Sequence, residues 1–125
     1  MQFFIRGLVV VAALGLTALP VDAQKEQVYR PGNGVSLPVV IESVTPQYTA
    51  DAMRAKIKGS AIVEVTVTAK GEVTDVELTR SLDPVHGLDN ACIEAAAQWK
   101  FKPGTKDGKP VAVRVWIEMT FNMGN

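Results

Sequence analysis

Val111, Val113, Val115, Ile117, Met119 and Phe121 occupy alternate positions in one uninterrupted stretch near the end of the chain. Successive side chains of an extended strand point to opposite faces, so residues 110–121 predict a β-strand with one buried face and one solvated face. Arg114, Trp116, Glu118 and Thr120 fall on the second face. A lone strand leaves its backbone N–H and C=O groups unpaired. The rest of the chain must therefore supply partners for this strand and a layer over its apolar side.

The partners are legible upstream. Between Ser60 and Thr68, Ala61, Val63, Val65 and Val67 point one way, and Ile62, Glu64, Thr66 and Thr68 the other. Ala69-Lys70-Gly71-Glu72 predicts a hairpin turn, with Gly71 free to take positive φ. Val73 to Arg80 runs back with Val76 and Leu78 on one face; Val73 is out of phase, which predicts a bulge or fray beside the turn. Pro38 to Val44 is apolar and β-branched and predicts an extended segment, ended by Pro46.

The cover is a helix. Leu88, Ala91, Cys92, Ala95 and Trp99 recur at helical spacing, a narrow stripe of small residues with Trp99 as its large anchor. Asp89 suits the positive end of the helix dipole, Lys100 and Lys102 follow its last turn, and Pro103 stops it. A shorter helix is predicted earlier, with Thr49 as N-cap and Ala50, Met53 and Ile57 sharing one face up to Gly59.

Together these elements predict an α+β domain. It is a small three-stranded antiparallel sheet in the order 2-1-3, covered on one face by the crossover helix, with the short helix preceding it. The strands at 73–80 and 110–121 are then the edges. Val63, Val65, Leu88, Trp99, Phe101 and Phe121 are the expected core, with Trp99 buried between helix and sheet and Trp116 exposed on the opposite parity.

The N-terminus reads differently. Arg6, the apolar run Leu8 to Leu19, Pro20 and the small residues Val21-Asp22-Ala23 predict a signal peptide over 1–23, cleaved after Ala23. The run falls short of the roughly 20 residues that span a bilayer. An uncleaved membrane anchor is the alternative. Residues 24–36, with Pro31, Gly32, Asn33 and Gly34 clustered, read as a linker, and 37–125 as the folded domain. Gly32-Asn33-Gly34 lacks the third glycine and preceding strand of a nucleotide loop.

Taken in order, Pro46-Gln47-Tyr48, Ala52, Gly59 leading into Ala61-Ile62-Val63-Glu64-Val65, Gly71-Glu72-Val73, Leu88-Asp89, Trp99-Lys100-Phe101-Lys102-Pro103, Gly108-Lys109-Pro110-Val111 and the closing Phe121 resemble the C-terminal domain of TonB proteins. The resemblance covers about 38–121. It implies a periplasmic module of Gram-negative energy transducers, which grips a short segment of outer-membrane receptors while an inner-membrane motor drives uptake. Two features differ from the family's full-length pattern: the signal-like start, and a linker of only 24–36 where a long proline-rich spacer is usual. That linker reaches about 45 Å fully extended. A third is the end at Asn125, which leaves no room for a further strand.

Catalytic chemistry has no visible constellation. His86 lies in the turn-rich Asp83-Pro84-Val85-His86-Gly87 segment without a second ligand at metal spacing. Asp83 and Asp89 are explained by loop solvation and helix-end charge rather than as an acid/base pair. Cys92 has no disulfide partner and sits on the apolar helix stripe as a small buried hydrophobe. Lys100, Lys102, Lys106 and Lys109 form a local basic patch that reads as a solvated loop, while 13 acidic and 13 basic residues exclude a strong positive field for nucleic acid. Neither a cofactor, a metal, a small-molecule substrate nor an enzymatic activity is expected.

What remains is binding. An edge strand exposes unpaired backbone groups to which an extended peptide can add. Of the two predicted edges, 111–121 is the longer and more regular, and the resemblance implies the same strand as the receptor-binding edge. Val111, Ala112, Val113, Arg114, Val115, Trp116, Ile117 and Glu118 are therefore the expected protein-binding residues. Arg114, Trp116 and Glu118 would select side chains, and Val113 and Val115 serve folding. The expected partner is an outer-membrane receptor or another envelope protein, in TonB-dependent transport from the periplasm. Homodimerisation through the same edge is the competing outcome. A membrane-anchored transducer component is the alternative reading, and a small secreted enzyme the third.

Overall fold

The structure, a computed structural model, describes residues 27–123. The expected leader 1–23 lies outside the described residues. In chain order the elements are β1 (Val28–Tyr29), β2 (Val39–Glu42), α1 (Ala50–Arg54), β3 (Gly59–Val67), β4 (Val73–Arg80), α2 (Leu88–Ala96), β5 (Lys100–Lys102), β6 (Gly104–Lys106) and β7 (Lys109–Phe121).

The three-stranded antiparallel sheet under a crossover helix is not what forms. The main sheet has five strands in the path β1-β7-β3-β4, with β6 also paired to β7, and β2 and β5 make a second, two-stranded sheet. The main sheet is mixed, because β1 runs parallel to β7 with Val28 opposite Ala112 and Tyr29 opposite Val113. Among the described residues two helices accompany the sheets, and both are small. The added strands escaped the sequence for a physical reason. Val28-Tyr29 is too short to show a period of two, and β5 and β6 flank Pro103, whose missing N–H reads as a stop.

The long strand is nonetheless the spine. β7 pairs antiparallel with β3 without a break, from Gly59 opposite Phe121 to Val67 opposite Val113. β3 pairs in turn with β4, where the register shifts twice; Asp75, at φ 50, lies at the shift nearer the turn. Ala61, Val63, Val65 and Val67 are completely buried, and Ile117, Met119 and Phe121 nearly so. Each buried valine or isoleucine contributes roughly 1.5–3 kcal/mol.

Leu88, Cys92, Ala95 and Ala96 of α2 close that core, as does Ala52 of α1. The stripe of small residues lets α2 lie close to β3 and β4. α2 ends at Ala96, three residues before Trp99, so the tryptophan is carried by the turn into β5 and is half-buried rather than wedged between helix and sheet. It tilts against Phe101 with ring centroids 6.1 Å apart.

Thr49 caps α1 as its sequence predicts, its hydroxyl accepting from the Ala52 N–H at 3.1 Å. The buried face of α1 differs from expectation: Ala52 is inside and Met53 is exposed. With five residues the helix ends before a 3.6-residue stripe can repeat. Tyr48, just before it, meets Phe121 edge to face at 5.2 Å.

Candidate functional site

β7 has two edges. One carries the β3 ladder along residues 113–121. On the other, β1 pairs with Ala112 and Val113, and among the described residues nothing pairs with the stretch from Arg114 to Phe121. That stretch therefore offers a row of unsatisfied backbone donors and acceptors to solvent.

A cleft of about 670 Å³ runs along this open edge. Leu37, Pro38 and Val40 form an apolar wall facing the strand, and Phe101 and Trp99 extend it. The strand contributes residues of both parities, Val115 and Ile117 with Trp116 and Glu118, so the cleft follows the edge rather than one face of the sheet. Arg30 and Pro31 also line it. Leu37 and Val40 are about half exposed, and Trp116 is 72% exposed, so large apolar surface lies open beside unpaired backbone. A guest strand entering here would meet apolar contacts on one parity and a polar-aromatic face on the other.

The residues expected to bind are distributed unequally. Val111 pairs with Gly104 of the β6 hairpin, and Ala112 and Val113 are covered by β1. Arg114 borders the open edge, but its side chain turns inward across β3 and is only 12% exposed. Its guanidinium donates to the Thr66 hydroxyl at 2.9 Å, the Asp75 carbonyl at 2.6 Å and Glu77 at 2.9 Å. Val115 is half-buried and Ile117 is core, while Trp116 and Glu118 face solvent. The structure thus brings Arg114 to Glu118 together on the cleft and sets Val111 to Val113 in pairs with the chain's own strands. Of the expected core, Val63, Val65, Leu88, Phe101 and Phe121 are buried.

Glu64 sits behind the edge, directly opposite Trp116 on β3. Arg30 Nη1 donates to it at 2.8 Å, and Arg114 Nε lies 3.6 Å away. The Arg30 hydrogen bond, opposed by burial and assisted by the Arg114 charge, holds the Glu64 carboxyl below the usual carboxylate range.

Other candidate residues are structural. Asp83 and Asp89 are buried, not loop-solvated. Asp89 accepts from the Ser81 hydroxyl and from the N–H groups of Leu82 (2.9 Å) and Asp83 (2.8 Å). Asp83 accepts from Val85 (3.1 Å) and His86 (2.9 Å), with the His86 ring 3.1 Å away. Burial pushes both carboxyls up, but the converging N–H groups outweigh it and hold both below the ordinary aspartate range. These contacts tie down the loop that enters α2, and Thr49 fastens it to α1 by donating to the His86 carbonyl at 2.6 Å. Cys92 is buried, and burial followed by the nearby Asp89 charge pushes its thiol up to about 11, well away from reactivity. Among the described residues no cluster of His, Cys, Asp and Glu is arranged to hold a metal ion. Lys106 lies over the Tyr29 ring at 5.6 Å.

Sequence reasoning missed the far wall of the cleft. Leu37, Pro38 and Val40 carried a signal, an apolar β-branched run, but nothing in it said that the run would stay exposed. Arg30 carried none.

Comparison with known proteins agrees with this geometry. Residues 44–123 match the family model described as the Gram-negative bacterial TonB protein C-terminal. Protein TonB of Xanthomonas campestris pv. campestris is 38% identical over 76 residues, 61% of this chain and 34% of that protein. Protein TonB of Vibrio cholerae is 30% identical over 112 residues, 90% of this chain and 41% of that one. The chain thus spans well under half the length of these relatives. The solution NMR structure of the Pseudomonas aeruginosa TonB CTD superposes with a TM-score of 0.57 at 22% identity, covering 82% of this chain and 98% of that structure, and shares its fold. An open-edged mixed sheet, small flanking helices and a matching family model lead to one conclusion: the chain belongs to the family of Gram-negative bacterial TonB protein C-terminal domains.

Proposed function

We propose that this chain is a periplasmic protein-binding module of TonB-dependent transport, and that it takes an extended segment of an outer-membrane receptor, or of another envelope protein, as an added strand on β7. The observation that carries the reading is the unpaired edge from Arg114 to Phe121, set in a cleft with an apolar far wall. Membership of the TonB C-terminal family, a family of transport energy transducers, supports the partner class. Backbone pairing provides affinity with little demand on sequence, and Trp116 and Glu118 are the exposed side chains placed to discriminate. A second copy pairing through the same edge is the competing occupant.

The test is an NMR titration with extended peptides taken from the periplasmic ends of candidate receptors. Amide shifts concentrated on 114–121 support the reading. Shifts confined to β4 or to the Lys106 loop overturn it.

One observation favours a second reading, a transducer component anchored by an uncleaved N-terminal segment. It is the family itself: the resemblance implies that the usual TonB protein keeps an uncleaved membrane helix. Among the described residues no helix is long and apolar enough to cross a membrane. Fractionation separates the two readings, because an intact Met1 end in the inner-membrane fraction belongs only to the anchored form.

A further inference from the structure

The edge that the proposed guest would use is already partly occupied, by the chain itself. β1 lies on the same edge of β7 as the open stretch and stops where that stretch begins, with Tyr29 opposite Val113. Its hold is slight. It makes two residue pairs, against nine between β3 and β7. Val28 is 42% exposed, and the ion pair from Arg30 to Glu64 is anchored by a side chain 70% exposed.

The chain then leaves the edge abruptly. Pro31 has no N–H to continue the ladder, and Gly32, Asn33 and Gly34 all take positive φ and reverse the backbone. The return strand is fixed independently of β1: Val35 bridges Lys106, and the Ser36 N–H donates to the Thr105 carbonyl at 2.8 Å. Residues 27–31 are thus a short flap, hinged at 32–34 and fastened beyond the hinge. Lifting the flap strands no charge, because Glu64 keeps Arg114 at 3.6 Å when Arg30 leaves.

We propose that this flap is an intramolecular competitor for the binding edge, and that it selects guests by length. The inference rests on strand addition to β7. A short guest pairs with the open stretch beside the seated flap. A longer one, reaching Ala112 and Val113, binds only by displacing β1, and its apparent affinity is lowered by the fraction of molecules in which the flap is down.

The test uses the full chain and its double variant Val28→Pro/Tyr29→Pro. Neighbouring residues of a strand aim their N–H groups to opposite sides, so the double change removes whichever one faces β7. Two capped peptides of alternating threonine and valine serve as probes, one about ten residues long and one about six. In the variant the long peptide should bind about fivefold tighter, with amide shifts spreading to Ala112 and Val113, while the short peptide is unchanged. Arg30→Gln, a change at an exposed side chain, should give a smaller gain of about twofold for the long peptide and covers the case in which the double variant folds poorly. Equal or weaker binding of the long peptide in both variants, with shifts still on 114–121, overturns the flap and leaves strand addition standing. No shift on β7 with either peptide in any variant removes both.

Discussion

The indole N–H of Trp99 donates to the backbone carbonyl of Val44 at 2.9 Å, joining the turn after α2 to the segment that leads into α1. The contact closes a stretch that contains both helices and satisfies a carbonyl outside any ladder. Trp99→Phe should cost about 1 kcal/mol through the lost hydrogen bond. Trp99→Ala should cost about 3 kcal/mol as packing on Phe101 is lost as well. Trp116→Ala, at an exposed position, should stay within about 0.5 kcal/mol of the parent. Urea unfolding of the three variants checks this ranking; an inverted order refutes the assigned faces.

Among the described glycines, Gly71 comes closest to neighbouring backbone. It accepts from the Phe101 N–H at 2.9 Å, sits at φ +85, and a Cβ there would lie 2.0 Å from the Phe101 carbonyl oxygen. Gly71→Ala should therefore separate the β3–β4 turn from β5 and cost about 3 kcal/mol or more. Gly108→Ala, also at positive φ but with open space around it, should cost about 1 kcal/mol. Thermal melts of the two variants should differ by several degrees; coincident melts would dismiss the close approach as a determinant.

Acid should unfold the domain through Glu64, Asp83 and Asp89. All three carboxyls are depressed in the folded state, so the folded form binds fewer protons than the unfolded chain in the acid range. Their stabilisation is complete above the ordinary carboxylate range, from about pH 5, and is lost as pH falls through the lowered folded values. Asp89→Asn should lower the melting temperature at neutral pH by about 10 °C and flatten the dependence below pH 4. Melting temperatures from about pH 2 to 7 give the slope, and a variant as steep as the parent would assign the acid response elsewhere.

Val40→Asp tests the far wall of the cleft. Val40 is about half exposed, so the change should leave the melting temperature within about 2 °C of the parent. It replaces apolar surface opposite Val115 and Ile117 with a charge, and should weaken binding of an extended apolar peptide about tenfold. Calorimetric titration is the measurement. Unchanged affinity would confine recognition to the β7 backbone.

Much of the sheet was legible because a period of two leaves no choice of face. Ala61, Val63, Val65 and Val67 are inside together, and the opposite parity of Trp116 put it outside. The Thr49 cap was legible because its hydroxyl has one local job. What escaped depended on contacts distant in sequence or on the closure of a loop. Val28-Tyr29 joins the sheet only because β7 presents an edge to it, and no local pattern encodes that pairing. α2 stops short of Trp99 although the apolar spacing continues, because the chain must turn there to deliver Phe101 to Gly71. Asp83 and Asp89 read as solvated charges because the N–H groups that receive them exist only after the loop has closed.

The unequal ladders on either side of β7 have a mechanical consequence. Among the described residues, tension arriving from the N-terminal side reaches the sheet first at β1, where two pairs resist it. The continuous nine-pair ladder between β3 and β7 carries no load until those have parted. After them the pull meets the Val35–Lys106 bridge and the Ser36–Thr105 bond, still short of the sheet's centre. The domain is thus built with a fuse in series: a first increment of force draws out slack and clears the end of the open edge, while β7, the strand proposed to take a guest, stays anchored. A pulling experiment on the full chain should record a small, early extension well below the force that ruptures the sheet.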